Sequence, residues 1–97
     1  MRMLLRVTIP VEKGNQAVQD GTLQRVLEGA MNKIRPEAAY FSTMGTGKRA
    51  SFFVFDMADP SQIPAITEPI LQGLDAEVEF CPVMNLDDLM RGLQGLG

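Results

Sequence analysis

The sequence contains no histidine and no tryptophan, and Cys81 is its one cysteine. The absence of histidine excludes His-ligated metal sites, histidine-ligated haem and the Ser-His and Cys-His catalytic pairs. One cysteine can form neither an internal disulfide nor a CxxC zinc site. No His or Lys is expected near Cys81 to activate its thiol, so we predict a small buried residue there. We therefore expect no metal and no cofactor.

Long hydrophobic runs are also missing. No stretch approaches the roughly 18 apolar residues of a membrane span, and Arg6 interrupts the short apolar run at the start. We expect neither a signal peptide nor a membrane anchor. The net charge of -3 and the pI of 4.8 argue against nucleic-acid binding. One free cysteine and seven methionines are typical of a reducing compartment, which predicts a cytoplasmic protein.

Ninety-seven residues are enough for a single domain, residues 1–97. Apolar residues alternate over residues 3–9, which predicts a first strand ended by Pro10. Asn15 and Asp20 are alternative caps for a helix that Pro36 ends. Residues 38–44 and 50–57 are predicted as two strands joined by a turn at 45–47. The apolar stripe of the helix has helical spacing: Leu23, Val26, Leu27, Ala30, Met31 and Ile34.

The second half predicts a helix, a strand and a short terminal helix. The first of these helices begins either at Ser61 or at Asp59 with Pro60. We expect Pro69 to kink or split it and Gly73 to cap its end. Residues 76–83 are predicted as the fourth strand, and Asn85 caps the terminal helix. The apolar stripes of the two helices are Ile63, Ile66, Ile70 and Leu74, and Leu86, Leu89, Met90 and Leu93.

The order β-α-β-β-α-β plus a helix predicts an α+β, ferredoxin-like domain with a four-stranded antiparallel sheet. Right-handed crossovers place the first and third strands in the centre and two long helices on one face. The opposite face is apolar at its centre but carries charges nearer its edges. A second copy packed against it would bury this patch, which predicts a homodimer or higher homo-oligomer. The terminal helix then lies on the partner or seals the end of the barrel.

The chain resembles the dimeric α+β-barrel superfamily of ferredoxin-like folds over nearly its whole length. The segments that carry the resemblance are MLLRVTIP, SFFVFDMADPSQI and AEVEFCPVMNLDDL. Small muconolactone-isomerase-like proteins and several uncharacterised bacterial families of about this size look similar. The resemblance implies a dimer, but it implies no single activity, because the superfamily includes isomerases, monooxygenases, decarboxylases and haem degraders. Its haem-degrading members use a histidine that this chain lacks.

Two motifs suggest other functions but lack residues that those functions require. MGTGKRA at 44–50 resembles a phosphate-binding loop, but Ser42 and Arg49 stand where that loop needs Gly and Ser or Thr. It also joins two strands rather than a strand and a helix, so we predict a hairpin turn. The FFVF run resembles the aromatic strand of RNA-recognition domains, but Ser51 replaces the required aromatic and Glu77 and Glu79 repel phosphate.

Five residues on the open sheet face form the candidate site. Arg6 is the predicted anchor for a carboxylate ligand, and Tyr40 and Phe52 are the other ligand-binding candidates. Asp56 or Glu79, with a pKa raised by burial, is the candidate general base. The competing interpretation is an ion pair between Arg6 and Glu77 or Glu79 that fixes the dimer register.

We therefore expect a homodimer that binds or transforms a small anionic or aromatic molecule between its sheets, without metal or haem. The alternative is a non-catalytic structural protein whose barrel is filled by its own side chains. Charge is also divided along the chain: residues 1–49 carry eight Lys or Arg and four Asp or Glu (+4), and residues 50–97 carry one and eight (-7). We expect this asymmetry either to orient the two subunits or to be a solvated surface.

Overall fold

A computed structural model describes residues 1–97 as an α+β domain with four strands and four α-helices. The strands are β1 (Arg2–Ile9), β2 (Ala38–Thr43), β3 (Arg49–Asp56) and β4 (Glu77–Pro82). The helices are α1 (Val11–Gln19), α2 (Thr22–Ile34), α3 (Ile63–Leu74) and α4 (Leu86–Gln94), and a 3-10 turn, Pro60–Gln62, precedes α3. Each of the four predicted strands is present, within one residue of its expected ends.

The strands form one antiparallel sheet in the order β2-β3-β1-β4. This arrangement is compatible with the predicted ferredoxin-like fold. The turn between β2 and β3 is the expected hairpin. It is closed by a hydrogen bond from Met44 N to Lys48 O of 2.8 Å, and Gly47 has a φ of +80° that glycine adopts without strain.

The hydrophobic core lies between the sheet and helices α1, α2 and α3. In β1, β2 and β3 the odd-numbered residues point into it, and in β4 the even-numbered residues do. Leu5, Val7 and Phe53 are completely buried. Val78 and Phe80 pack at its margin. The Phe55 and Phe80 rings meet edge to face with centroids 6.3 Å apart. One sheet face is therefore covered by helices, and the other, called the open face below, is formed by the even-numbered residues of β1, β2 and β3 and the odd-numbered residues of β4.

The connection from β1 to β2 contains two helices where the sequence predicted one. Helix α1 went unpredicted because its two buried residues are Gly14 and Ala17, which are too small to make an apolar stripe. Neither predicted cap is the N-cap of the second helix, which is Gly21. Asp20 is the C-cap of α1, and its Oδ1 accepts a hydrogen bond from Thr22 N, at the start of α2, at 2.9 Å. This contact holds the pKa of Asp20 below its usual range.

Helix α3 begins as one of the two alternatives predicted. Asp59 caps the 3-10 turn by accepting from Ser61 N at 2.8 Å, and Pro60 follows it. Helix α3 then continues past Pro69 without being split. The predicted cap at Gly73 is wrong, because the helix continues to Leu74 and its C-cap is Asp75, which has a left-handed φ of 49°.

Helix α4 is capped by Asn85 as predicted. Its side-chain oxygen accepts from Asp88 N at 2.8 Å, and the Asp88 carboxylate accepts from Asn85 N in return. No residue of α4 is buried. The radius of gyration is 15.2 Å, above the roughly 13 Å of a compact domain of this length, because α4 extends beyond the core.

Candidate functional site

Four of the five candidate residues form one row across the open face of the sheet. Tyr40 lies opposite Phe52 on the neighbouring strand, and Phe52 lies opposite Arg6. Arg6 in turn lies opposite Glu79. Directly opposite residues in antiparallel strands have Cβ atoms about 5 Å apart. An aromatic ring, a guanidinium and a carboxylate are thus consecutive neighbours along this row.

Arg6 occupies the central position of the row on strand β1. Its side chain is half-buried, and its Nε is fully buried with no hydrogen-bond partner. The chain's ion pairs at 4.0 Å or less do not include Arg6. A buried donor without an acceptor costs free energy, so such groups in folded proteins are nearly always paired. Arg6 is therefore the polar group of the open face that still needs an acceptor.

Glu79 is the carboxylate nearest to Arg6 in the sheet, but the two residues form no ion pair within the chain. Glu79 is exposed on the edge strand β4. Glu77, the other predicted partner, is displaced from Arg6 and lies opposite Thr8. The predicted Arg6–Glu contact is therefore absent from the single chain, although the register leaves Glu79 in position for it.

Asp56 lies at the end of the sheet, away from the row. It is opposite Arg2, four residues along β1 from Arg6, which corresponds to about 13 Å. Its Oδ1 accepts from the Met1 amine at 2.7 Å, and this hydrogen bond and the amine's charge hold the pKa of Asp56 below its usual range. The expectation of a raised pKa at Asp56 is wrong for the single chain, since its side chain is exposed.

Cys81 lies on the open face, opposite Leu4. The thiol is exposed, so the prediction of a buried cysteine is wrong for the single chain. Its side chain donates only to the neighbouring Pro82 carbonyl, at 3.4 Å.

The apolar residues around Arg6 set the character of the open face. Leu4, Phe52 and Val54 are all half-buried there, and Tyr40 is 68% exposed at the β2 edge. The face thus combines an apolar centre with one unpaired cation. This is the surface composition that the sequence predicted.

The largest cleft, about 620 Å³, lies at the Arg2 end of the sheet rather than at Arg6. Its charges are mostly paired with one another: Arg2 Nε is 2.7 Å from Glu37 Oε1, and Arg2 Nη1 is 2.9 Å from Asp88 Oδ2. These carboxylates raise the pKa of Arg2, and the hydrogen bond to Glu37 has the largest effect. The cleft is therefore lined by an ionic cluster that joins β1 to Glu37, the residue before β2, and to α4. None of the five clefts of the single chain reaches Arg6.

A smaller cleft of about 320 Å³ was not found by sequence reasoning. It lies on the helix side of the sheet and is lined by Leu23, Arg49 and Ser51 among others. Its apolar residues were assigned to the core, and the signal that could have identified it is the pair Arg49 and Ser51 on the helix-facing side of β3.

The described chain has no group of three or more His, Cys, Asp or Glu side chains placed to hold a metal ion. None of its helices combines the length and apolar character required to cross a membrane.

Comparison with known proteins finds no family model that matches the chain and no match among curated proteins. The geometry of the open face is therefore the basis on which a function can be proposed.

Proposed function

We propose that two copies of the chain pack through their open sheet faces and bind a small anionic or aromatic molecule between them. The observation that carries this proposal is Arg6, whose buried Nε has no partner at the centre of an otherwise apolar face. A carboxylate ligand supplies the missing acceptor, and a guanidinium binds a carboxylate through two parallel hydrogen bonds. The neighbouring Phe52 and Tyr40 rings provide contacts for an aromatic body.

Pairing of the open faces accounts for their composition. Monomeric proteins rarely leave a contiguous apolar patch of this kind in water, because burying it is favourable by about 25 cal/mol per Å². A twofold arrangement covers both faces with one self-complementary interface. The acidic and basic halves of the chain give this interface a preferred orientation.

If the bound molecule is also transformed, Glu79 is the better of the two proposed bases. It lies directly opposite Arg6, whereas Asp56 is about 13 Å along the strand and is already engaged by the Met1 amine.

The second candidate is a non-catalytic assembly whose interface is filled by its own side chains. It is favoured by the absence of a cleft at Arg6 in the single chain. In this arrangement Glu79 of the partner subunit supplies the acceptor for Arg6, and the row sets the dimer register.

A titration of the ¹⁵N-labelled protein with benzoate separates the two candidates. Ligand binding predicts saturable shifts of the Tyr40, Phe52 and Glu79 amides, and Arg6→Gln should weaken binding at least about tenfold, since hydrogen bonds to charged groups contribute about 1.5–3 kcal/mol. Arg25→Gln removes an equal charge from the exposed side of α2 and should leave binding unchanged. A dimer in which benzoate shifts none of these amides would support the structural assembly instead.

A further inference from the structure

The cleft on the helix side of the sheet has the features of a ligand site that is separate from the open face. It has a volume of about 320 Å³ and lies between α2 and the β2–β3 hairpin. Leu23, Leu27 and Phe41 form its apolar walls, and Ile9 lies at its base. This volume and lining fall in the range of pockets that hold small molecules.

Phe41 is held at the edge of this cleft by the core beneath it. Its ring meets the buried Phe53 ring edge to face, with centroids 5.8 Å apart, yet 55% of Phe41 remains exposed. The ring is thus fixed on one side and open to the cleft on the other. An apolar ligand chain in the cleft would cover it.

Ser51 places an unpaired hydroxyl in the same cleft. Ser51 and Thr67 are the two buried polar residues of the chain, with exposures of 3% and 5%. The Thr67 hydroxyl donates to the Ile63 carbonyl at 2.9 Å, whereas the Ser51 hydroxyl has no hydrogen bond and lines the cleft. The Ser51 Oγ is not among the fully buried polar atoms that lack a partner. It is therefore accessible from the cleft and can donate to an occupant.

Arg49 supplies a positive charge without a carboxylate partner. Nη1 and Nη2 both donate to Asn15 Oδ1, at 3.2 Å, and none of the ion pairs includes Arg49. Gly14 leaves the space for this guanidinium, because a Cβ built there would lie 2.6 Å from Arg49 Nη1. Arg49 and Ser51 are alternate residues of β3, so both face the helix side.

We propose that this cleft binds a small hydrophobic monocarboxylate, such as a medium-chain fatty acid. The carboxylate pairs with the Arg49 guanidinium and accepts from the Ser51 hydroxyl. The hydrocarbon chain lies against Leu23, Leu27 and Phe41. The site is complete within one chain, so it does not depend on the proposed dimer or on Arg6.

The test is a titration of the ¹⁵N-labelled protein with octanoate and, separately, with octan-1-ol, which has the same chain length without the charge. Octanoate should give saturable shifts at Leu23, Leu27 and Ser51 and bind at least about tenfold more tightly than octan-1-ol. Arg49→Gln should abolish this preference. Lys48→Gln, which removes a charge from the exposed adjacent residue, should preserve it.

A second variant keeps the test decisive if Arg49→Gln disturbs the fold. Leu27→Trp fills the cleft while leaving Arg49 in place, and it should remove octanoate binding. Equal affinity for octanoate and octan-1-ol, or unchanged octanoate binding in both variants, would overturn the proposal. Octanoate shifts confined to the Arg6 row would also overturn it. Shifts at the cleft when the protein alone is diluted would indicate that a second copy of the chain occupies the cleft, and they would overturn it as well.

Discussion

Single side-chain oxygens at helix starts show how far a local pattern determines a contact. Asp59 and Asn85 each accept from a backbone N–H two or three residues ahead, at 2.8 Å in both cases. These contacts depend on neighbours in the sequence, so the residue types at those positions predict them. These two caps were therefore assigned correctly, with Asp59 as one of two alternatives.

Asp59 should make the stability of the chain depend on pH. Hydrogen bonds from the Ser61 backbone N–H and side chain hold its pKa below the ordinary value of 3.8. A lowered folded-state pKa gives a contribution to stability that is present above the unfolded-state pKa. That contribution is lost as the pH falls through the folded-state pKa. Asp59→Asn keeps an acceptor oxygen but cannot titrate. Its unfolding free energy, measured in urea titrations, should therefore be lower than that of the wild type at pH 6, and the difference should shrink as the pH falls to 3.

The matched control for this measurement is Asp87→Asn. Asp87 lies in the first turn of α4, and its carboxylate accepts no hydrogen bond. A deficit with the same pH dependence in both variants would contradict the role assigned to Asp59.

Positions set by distant parts of the chain were harder to predict at the residue scale. The sequence correctly placed Arg6, Tyr40, Phe52 and Glu79 on one face, because strand alternation requires only local spacing. It could not place Asp56 beside the Met1 amine, a contact across 55 residues. The exposure of Cys81 likewise depends on what covers the open face.

At the scale of elements, α3 shows how a proline is accommodated inside a helix. Pro69 has no N–H to donate to the Ala65 carbonyl four residues earlier. Lys33 of α2 donates to that carbonyl instead, at 2.9 Å. The sequence predicted a kink or a split at Pro69, and the split does not occur. A compensating donor from another helix could not have been predicted from the α3 sequence.

Replacing this proline should stabilise α3. Pro69→Ala restores the donor to Ala65 and removes a poor helix former, so unfolding free energy should rise by about 1–2 kcal/mol once the lost rigidity of the unfolded chain is included. Lys33→Met should destabilise the wild type more than it destabilises Pro69→Ala. Urea denaturation of the four proteins forms the double-mutant cycle, and additive effects would show that Lys33 does not compensate for the proline.

Prediction of elements succeeded where large apolar residues repeat and failed where small residues are buried. The stripe from Leu23 to Ile34 identified α2 because its side chains fill the space between helix and sheet. Helix α1 approaches the sheet through Gly14 and Ala17, so close packing rather than apolar bulk defines its buried side. The cleft beside Arg49 was missed for the same reason, because the small residue Gly14 leaves the space that the Arg49 guanidinium occupies.

On the scale of the whole molecule, the proposed pairing of open faces predicts a mass of about twice 10.7 kDa by light scattering. Val54→Lys places a charge in the apolar centre of that face, and the desolvation it would require should shift the protein to a monomer. Gln16→Lys adds the same charge at an exposed position of α1 and should leave the mass unchanged. A wild-type mass of 10.7 kDa at high protein concentration would refute the pairing.

Leu89→Lys in the same experiment decides the position of the terminal helix. The α4 stripe is largely uncovered, with Leu86 71% and Leu93 50% exposed. If α4 lies on the partner, this variant should weaken the dimer. A dimer unaffected by Leu89→Lys assigns the interface to the sheets alone.

The attachment of α4 differs in kind from the contacts that hold the rest of the chain together. The body is held by buried apolar side chains, whereas α4 is joined to the first strand through the ion pair between Arg2 and Asp88. Salt weakens such a pair by screening, with a screening length of about 8 Å at physiological ionic strength and about 3 Å at 1 M. Salting-out ions instead strengthen apolar burial. One change of solvent therefore acts in opposite directions on the two parts. High concentrations of a salting-out salt should therefore loosen the attachment of α4 while they stabilise the body of the chain.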